Sequence, residues 1–541
     1  MVEKILQRYA HTLRHLKPWQ VAGRLVAPLQ RRWAAWRLPD ASSRLQPAGP
    51  SPTQGPAHDP WNRRADVKEG RFCFLNETAE LSRPVDWSAA SMPLLWRFNL
   101  HYFDYLHLLD PHEQVALCRE WAADNPVGEG VGWHPYPISL RLVNWCRAEL
   151  AAPDLLESLY RQAAYLYRTI ETHVYGNHLL ENARALVVAG SYLQEQGEAG
   201  RWREQGLSIY REELGEQILA DGFHFERSPM YHALMLEGLL DVICVLPDGH
   251  PDQAMLQEKA RAMTNTLATV THPDGTLALF NDATHDIAPP PGRLLQYARE
   301  VLGEERATQS AFPEAGYYVF DANDLWMMID GGPAGPEYLM AHAHADIFSY
   351  ELSLFGKRFV VDSGVYEYEA GPMRQYVRGT AAHNTVQVDG LDQIECWDAF
   401  RVARRDAPRD VTWRETETGA VFEGTYDGYQ DRLGDDLSHR RRVEVDTSAR
   451  CVHVRDDVLG QGTHRAESRL HLHPDVHVQQ DGERIHLRRG EDRCRIDVVT
   501  GEIGWEKGWY CPHFGVRHRI CVLVMRDKGR GPLRCGYRFR Y

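Results

Sequence analysis

The sequence predicts a multidomain α+β protein in which a helical N-terminal half precedes a large antiparallel β-sandwich. The chain has 541 residues, more than a single ordinary core accommodates. Apolar residues recur at three- and four-residue spacing from about residue 95 to about residue 305, which is the period of a helix. After about residue 312 the pattern changes to short alternating segments separated by Gly, Asp and Asn, which is typical of strands.

The first 60 residues are predicted to form a basic N-terminal segment and a linker. Residues 1–40 contain eight Lys or Arg, against Glu3 and Asp40, together with apolar residues near helical spacing. This pattern indicates a basic amphipathic helix, which either lies on a membrane surface or a partner or packs on the body of the protein through its apolar face. Residues 41–60 are rich in Pro, Gly and Ser, as linkers are.

A helical domain is predicted over residues 61–310. Its periodic stretches are 97–109, 114–124, 139–151, 154–175, 178–196, 201–219, 230–246 and 253–269. Pro and Gly lie in the gaps between them. A succession of helices joined by short loops predicts either stacked helical hairpins or a helical toroid.

A β-sandwich domain is predicted over residues 311–541. Segments that alternate between apolar and polar residues occur at 316–320, 325–330, 358–362, 384–389, 441–446 and 451–456. The alternation continues towards the end of the chain. We therefore expect antiparallel strands that form a large sandwich.

Composition and charge limit the function classes. The formal net charge of −14 argues against a nucleic-acid binder and requires that any anionic ligand be met by local Arg and His side chains. Ten cysteines without a CxxC pair, and no export signal after Met1, predict reduced thiols in a cytoplasmic protein. No run of eighteen apolar residues occurs, so no transmembrane helix is expected.

The segment His342-Ala-His344-Ala-Asp346 suggests a metal site. In a strand, alternate residues share a face, so His342 and His344 are expected to point the same way, roughly 7 Å apart. His344, Asp362 and His383 together offer two nitrogens and a carboxylate, a ligand set that suits zinc.

Two helical segments carry further polar candidates. His178 and Glu181 are three residues apart and share a helix face, where the carboxylate could fix the imidazole tautomer. Asn177 either belongs to that face or caps a helix start. Tyr231 follows Ser228 and a proline, a typical helix start, which places its phenol in the first turn, facing a cleft.

Five segments resemble the heparinase II/III family of polysaccharide lyases. They are WRFNLHYFDYLH (96–107), NHLLENARAL (177–186), DGFHFERSPMYH (221–232), HAHADIFSYELSLFGKRFVVDSGVYEY (342–368) and RGTAAHNTVQVDG (378–390). The resemblance spans residues 95 to 400 approximately. It implies an (α/α) toroid followed by an antiparallel β-sandwich, and a lyase that acts on a uronic-acid-containing polysaccharide.

The resemblance implies catalytic roles for four residues. Asn177 and His178 match the family's Asn-His pair, and Tyr231 matches its catalytic tyrosine. His342 matches a histidine at the substrate carboxylate. In β-elimination, Asn177 and His342 would neutralise that carboxylate, His178 or Tyr231 would remove the C5 proton, and Tyr231 would protonate the C4 leaving oxygen.

The resemblance also implies ligands for a metal and for the sugar chain. His344, Asp362 and His383 match zinc-binding positions of some members, and we expect a structural Zn²⁺. Glu181 matches an acidic residue beside the active site. Side chains able to contact substrate carboxylates or stack on sugar rings are Arg141, Arg374, Arg378, Tyr102, Trp133 and Trp397.

The leading hypothesis is a lyase acting on an anionic uronate-containing polysaccharide or oligosaccharide. Alternatives are a uronyl C5-epimerase on the same scaffold, a zinc hydrolase, and a glycan-binding protein of polysaccharide biosynthesis. The basic residues 1–45 would suit a peripheral contact with the inner membrane or with an exopolysaccharide assembly complex.

Overall fold

The computed structural model describes residues 2–39, 45–47, 49–52, 55–194, 196–303, 307, 309–322, 324–434 and 436–541. A helical region comes first and a region of antiparallel sheets follows. The predicted fold class is thereby confirmed.

The helices lie mainly in the first 302 residues. They are α1 Val2–Leu13, α2 Pro18–Trp36, α3 Arg64–Glu69, α4 Leu94–Tyr102, α5 Pro111–Asp124, α6 Pro135–Arg147, α7 Pro153–Arg168, α8 Gly176–Leu193, α9 Ala199–Gln217, α10 Pro229–Val245, α11 Gln253–Thr269, α12 Pro291–Leu302, α13 Pro372–Val377 and α14 Gln430–Leu433. Short 3₁₀ turns cover Asp104–Leu108, Val131–Trp133 and Thr380–Ala382. The eight periodic stretches correspond to α4–α11, whereas α12 was not predicted.

Proline fixes where many of these helices begin. The helices α5, α6, α7, α10 and α12 all start at Pro, whose missing N–H costs nothing in the first turn. At α5 the Asp110 side chain accepts from the Glu113 backbone N–H and the Glu113 side chain accepts from the Asp110 N–H, which forms a capping box.

Helix α8 is the centre of the helical region. It is apolar nearly all round and buried along most of its length, and it packs against α6, α9 and α10. Glycines allow the closest approach: a Cβ at Gly190 would lie 2.7 Å from the Ala199 carbonyl oxygen, and one at Gly206 would lie 2.6 Å from that of Ala183. The N-terminus of α8 is held by this packing, which matters because Asn177 and His178 lie there.

The strands form one small hairpin in the helical region and several sheets after it. They are β1 Arg71–Phe74, β2 Glu77–Glu80, β3 Ala311–Phe312, β4 Tyr317–Ala322, β5 Leu325–Asp330, β6 Tyr350–Leu354, β7 Lys357–Val360, β8 Val386–Val388, β9 Cys396–Trp397, β10 Arg401–Val402, β11 Arg409–Thr416, β12 Gly419–Tyr426, β13 Ser438–Asp446, β14 Cys451–Leu459, β15 Thr463–His471, β16 His477–Asp481, β17 Arg484–Arg489, β18 Asp492–Thr500, β19 Glu502–His513, β20 Val516–Arg530 and β21 Leu533–Arg540.

Three larger sheets carry the C-terminal core. Their strand orders are β3-β4-β5-β6-β7, β11-β12-β13-β14-β21-β18-β17-β16 and β19-β20-β15-β8, and the pairs are antiparallel. Register places Arg441 opposite Asp456, and the two form a buried ion pair. Arg441 also donates to the carbonyls of Phe348 and Asn384, so it holds two loops against the eight-stranded sheet. Removing one partner of such a pair typically costs about 3–5 kcal/mol.

The N-terminal helices bridge the two regions. On the sheet side, the Thr12 hydroxyl donates to the Val402 carbonyl at 3.0 Å and Arg8 pairs with Glu395. On the helical side, the Gln30 amide of α2 donates to the Arg168 carbonyl at 2.8 Å. Helices α1 and α2 are therefore part of the folded body.

The apolar face of α2 does not pack on that body. The side chains that α2 buries are Gln20, Ala27 and Ala34. Its large apolar side chains point outwards, and these are Trp19, Leu25, Val26, Leu29, Trp33 and Trp36. The alternative of a helix that packs through its apolar face is wrong, because small residues fill the contact.

Two expectations concerned thiols and membrane spans. All ten cysteines are free thiols. Among the described residues, no helix combines the length and the apolar character needed to cross a bilayer.

Candidate active site

Asn177, His178, Tyr231 and His342 all line one cavity of about 480 Å³. Helices α8 and α10 supply the first three, and the loop between β5 and β6 supplies His342. Residues that are far apart in sequence thus meet at the junction of the helical and sheet regions. The volume lies in the range of small-molecule and sugar-binding clefts.

Asn177 is oriented by a buried carboxylate, Glu226. The Asn177 backbone N–H donates to Glu226 Oε1 at 2.9 Å, and its side-chain Nδ2 donates to Oε2 at 2.9 Å. This approach requires glycine before Asn177, because a Cβ at Gly176 would lie 2.2 Å from Glu226 Oε1. Gly176 also has a positive φ of 58°, which glycine adopts without strain. Glu226 lies inside the segment 221–232 that carries the family resemblance, but no role was predicted for it.

His178 is held by Glu171. Its Nδ1 lies 3.0 Å from Glu171 Oε2, and its ring packs on Tyr136 at 4.4 Å between centroids. The imidazole keeps 32% of its side-chain surface exposed, whereas Glu171 is buried. Burial alone would lower the pKa of His178, but the Glu171 carboxylate, followed by Glu226 and Glu181, raises it above the ordinary value.

Glu181 does not fix the tautomer of His178, and that prediction is wrong. Although Glu181 lines the cavity, its carboxylate bonds to Arg184 at 3.2 Å. Arg184 also pairs with Glu237 and Asp241, so Glu181 belongs to a buried ionic cluster. Burial raises the pKa of Glu181.

Tyr231 lies in the first turn of α10, as predicted. Its backbone N–H donates to the Ser228 hydroxyl at 3.3 Å, so Ser228 caps a helix that starts with Pro229. The Tyr231 hydroxyl lies 3.1 Å from the Tyr368 hydroxyl, and its ring lies 4.1 Å from that of His342. Burial, together with Tyr368, raises the pKa of Tyr231 well above the ordinary value, so the phenol stays protonated.

His342 and His344 point the same way for a reason other than strand geometry. They lie in a loop, where the prediction of a strand is wrong. Both bond to one carboxylate: His342 Nδ1 lies 2.9 Å from Asp282 Oδ2, and His344 Nε2 lies 2.9 Å from Asp282 Oδ1. Burial alone would raise the pKa of Asp282, but Arg374 and then the two histidines hold it well below the ordinary value.

The second nitrogen of His342 faces the other carboxylate of the site. With Nδ1 engaged by Asp282, Nε2 lies 3.6 Å from Glu226 Oε2. Glu226 is also the partner of the Asn177 amide. The amide and the imidazole therefore meet at the Glu226 carboxylate, and all three groups line the cavity.

The predicted metal ligands form a buried cluster. One ligand atom from each of His344, Asp362 and His383 lies within 4.8 Å of the others. His344 Nδ1 and His383 Nε2 are buried and have no hydrogen-bond partner in the described part of the chain. Two unpartnered imidazole nitrogens beside a carboxylate fit a zinc ion. His344 donates its other nitrogen to Asp282, the arrangement that metal-bound histidines usually show.

All three predicted arginine contacts with the substrate are wrong, because these side chains are buried and hydrogen-bonded to other protein groups. Arg141 is buried and donates to Gln162 Oε1 and to the carbonyls of His101 and Gly132. Arg374 is buried against Asp282, at 2.8 Å from Nη2 to Oδ2. Arg378 donates to the backbone carbonyls of Ala343, Asp398 and Ala399. None of the three is among the described residues that line the cavity.

The three aromatic side chains predicted to contact sugar rings have different surroundings in the structure. Tyr102 lines the cavity. Trp133 is buried between Trp121 and Tyr165, so its predicted role as a sugar platform is wrong. Trp397 is covered by α1, whose Thr12 hydroxyl accepts from its indole N–H at 3.2 Å.

Sequence reasoning missed Glu171, Glu226, Asp282 and Tyr368. Glu226 and Tyr368 lie in segments that carried the family resemblance, so that signal was present. Glu171 lies seven residues before His178, outside the helix that carries the histidine, and Asp282 lies 60 residues before His342. No helical or strand spacing therefore relates these carboxylates to their partners.

Comparison with known proteins identifies the family of this chain. Residues 136–299 match the family model described as heparinase II/III N-terminus, and residues 304–537 match heparinase II/III-like, C-terminal. A heparin-sulfate lyase of Pedobacter heparinus is 26% identical over 424 residues, which cover 62% of this chain and 63% of that protein. One of Bacteroides stercoris is 26% identical over 308 residues, covering 49% and 45%. The chain thus aligns with less than two thirds of the length of these relatives.

Solved structures show the same fold. A crystal structure of heparinase III superposes with a TM-score of 0.71 at 17% identity and covers 98% of this chain and 91% of that one. A mutant of heparan sulfate lyase from Pedobacter heparinus gives 0.63 at 20% identity, covering 96% and 88%.

The contact between Glu171 and His178 can be tested by titration. In Glu171→Gln, the carboxylate that raises the pKa of His178 is lost, so the His178 ring should lose its proton at a lower pH than in the wild type. Histidine-selective NMR against pH measures this. Glu212→Gln, on the exposed side of α9, is the control and should leave the His178 titration unchanged. Equal His178 titrations in wild type and Glu171→Gln would show that Glu171 does not set this protonation.

Proposed function

The chain belongs to the heparinase II/III family, and we propose that it is a polysaccharide lyase that cleaves a uronic-acid-containing polysaccharide by β-elimination. The observation that carries this proposal is the convergence of Asn177, His178, Tyr231 and His342 on a single cavity. The heparin-sulfate lyases among its relatives support the uronate substrate class.

The first requirement of the reaction is to neutralise the substrate carboxylate. Loss of the C5 proton places charge on that carboxylate, so donors fixed in advance lower the barrier. Asn177 and His342 both line the cavity, and each is oriented by a buried carboxylate, Glu226 and Asp282 respectively. These groups are suited to bind the substrate carboxylate as its charge grows.

The acid and the base are separated by their surroundings. With Glu171 at its Nδ1, His178 keeps Nε2 free to accept the C5 proton. Tyr231 has a strongly raised pKa and therefore acts as the acid that protonates the leaving oxygen at C4. Tyr368, at hydrogen-bond distance from the Tyr231 hydroxyl, orients it.

A Zn²⁺ ion held by His344, Asp362 and His383 is part of the proposal. The two unpartnered imidazole nitrogens and the spacing of the three ligands support it. When bound, the ion supplies a structural cross-link between three loops. Because His344 and His342 share Asp282, the position of His344 affects that of the carboxylate-binding histidine.

A peripheral membrane contact of residues 1–45 also belongs to the proposal, with an anionic bilayer surface as the partner. Leu25 and Trp36 of α2 are 76% and 78% exposed. Arg32 and Arg37 are exposed beside them, on a chain whose net charge is −14. Exposed Trp and Leu with nearby cations are the composition of an interfacial helix. Such a contact would suit a lyase that works in exopolysaccharide assembly.

Tyr231→Phe tests the reaction. Without the phenol proton, release of the C4 oxygen is unassisted, and turnover should fall by roughly 10²- to 10⁴-fold while polysaccharide binding persists. The ultraviolet absorbance of the unsaturated uronate product measures turnover on a panel of uronate polymers. Tyr350→Phe is the matched control, because it removes a hydroxyl from a buried Tyr–Tyr pair in the sandwich.

Two results would contradict the proposal. One is full activity in Tyr231→Phe. The other is deuterium uptake at C5 from heavy water without chain shortening, seen by mass spectrometry, which would identify a C5-epimerase instead.

Metal analysis tests the zinc site. The wild type purified with zinc should hold about one ion per chain, and His383→Ala should hold none. Chelation should lower the unfolding temperature of the wild type but not that of His383→Ala. His439→Gln is the control, since His439 is also a buried histidine with a carboxylate at one nitrogen and no partner at the other. Metal-free wild type, after purification with zinc, would remove the ion from the proposal.

Vesicle sedimentation tests the membrane contact. The wild type should pellet with phosphatidylcholine vesicles that contain about one third phosphatidylglycerol, and less so at high salt. Leu25→Glu/Leu29→Glu should weaken this by about tenfold or more per site, the equivalent of one buried leucine each. The control Leu459→Glu/Val499→Glu changes exposed apolar residues of the sandwich and should bind as the wild type does. Wild type that stays in the supernatant would refute the contact.

A further inference from the structure

One wall of the substrate cavity comes from α2, outside the ranges that the family models match. Arg24 lines the cavity together with Asn177, His178 and Tyr231. The family models begin at residue 136, so this contribution belongs to the N-terminal segment. A helix of the predicted basic N-terminal segment therefore reaches the site.

Arg24 differs from the other arginines in the lining, which are Arg147 and Arg184. Both of those pair with Glu237 and Asp241. Within the described residues, Arg24 has neither a hydrogen bond nor an ion pair to a carboxylate. Arg24 stays exposed where it lines the cavity, and partial desolvation of its guanidinium, followed by the neighbouring Arg401, lowers its pKa, so nearby protein groups do not stabilise its charge. An anion at this position would do so.

The remaining charge of the cavity is unfavourable to an anionic sugar chain. Its acidic lining residues are Asp104, Glu181, Glu226, Glu237, Asp286 and Glu369. The cations that could offset them are mostly bound by carboxylates already. A polyanionic substrate therefore needs a free cation, and Arg24 supplies one.

Helix α2 is held firmly enough to position Arg24. A Cβ at Gly23 would lie 2.3 Å from the Cβ of His173, so the absence of a side chain lets α2 lie against the turn before α8. Lys17 anchors the start of α2, at 3.1 Å from Glu216 and 3.6 Å from the ring centre of Tyr338. Further along α2, the Gln30 side-chain amide donates a hydrogen bond to the Arg168 carbonyl.

We propose that the guanidinium of Arg24 binds an anionic group, a carboxylate or a sulfate, on the polysaccharide at the mouth of the cavity. This inference rests on the proposed function, because it names a binding contact of the same site. Arg24 contacts a sugar beside the reacting one, so it determines substrate affinity and takes no part in proton transfer.

Steady-state kinetics of Arg24→Gln test the proposal. A charge-assisted hydrogen bond corresponds to about a tenfold or larger change in affinity, so KM should rise by that factor while kcat stays within about twofold. Arg24→Lys keeps the charge but loses the planar fork, and its KM should lie in between. Arg161→Gln, at an exposed position of α7 that does not line the cavity, is the control and should match the wild type.

Two substrate arms separate the two anions. An unsulfated uronate polymer presents carboxylates alone, and a carboxyl-reduced sulfated polymer presents sulfates alone. Dependence on Arg24 for binding of either polymer supports the contact and identifies the group. Equal affinity of Arg24→Gln and Arg161→Gln for both polymers would overturn it.

The outcome remains distinguishable from failure of the proposed function. If the wild type forms no unsaturated product from any polymer, the lyase proposal fails. Calorimetric titration of the same polymers into the wild type and Arg24→Gln then decides the Arg24 contact by itself. Weaker binding by the variant supports it, and equal binding overturns it.

The variant Gly23→Ala provides a second test of the Arg24 contact. Its added Cβ would push α2 from His173 and displace Arg24, so KM should rise as in Arg24→Gln. The double variant should show no further rise. Gly292→Ala, where no atom lies within 4 Å of the added Cβ, is the control. An unchanged KM in both Gly23→Ala and Arg24→Gln would contradict the inference.

Discussion

One buried carboxylate, Asp282, is the constraint on which the site depends. Its side chain accepts from Arg374, His342 and His344, its backbone N–H donates to the His342 carbonyl, and its own carbonyl accepts from the Ser228 hydroxyl that caps α10. A buried charge costs several kcal/mol, roughly, unless it is paired and fully hydrogen-bonded. Arg374 therefore cannot also serve the substrate, since that would leave Asp282 without its cation.

The requirement that buried charges be paired also gives the polar groups of the cavity different surroundings. Several carboxylates in or beside the cavity orient polar partners: Glu226 holds Asn177, Asp282 holds His342 and His344, Glu171 holds His178 and Glu181 holds Arg184. In the proposed reaction the base needs a carboxylate at one nitrogen and an accessible second nitrogen, and His178 has Glu171 at Nδ1 and a partly exposed ring. An acid needs a phenol that resists ionisation, which burial gives Tyr231. Surroundings that differ so much set the two roles apart within one cavity.

The spacing of apolar residues predicted those features of the fold that depend on short stretches of sequence. The helices α4–α11, the change to strands and the proline start before Tyr231 all follow from short-range patterns. Side-chain roles assigned by residue type alone were wrong at Arg141 and Trp133, because the interior of the helical region also uses guanidinium and indole groups. The partners of His178 and His342 come from other turns and loops, and tertiary packing alone brings them close. Sequence patterns therefore identified four side chains that line one cavity, whereas the groups that orient them required coordinates.

The two faces of helix α2 differ in the size of their side chains. Towards the body, α2 presents Gly23, Ala27 and Ala34, whose small size sets a short distance between helix and protein. A larger residue at any of these positions would hold the helix away, and an arginine side chain would no longer reach the cavity. Away from the body, the same helix presents leucines and tryptophans that no part of the described chain covers. The inner face therefore positions α2 and its Arg24 at the cavity, whereas the outer face is the surface that the proposed bilayer contact would use.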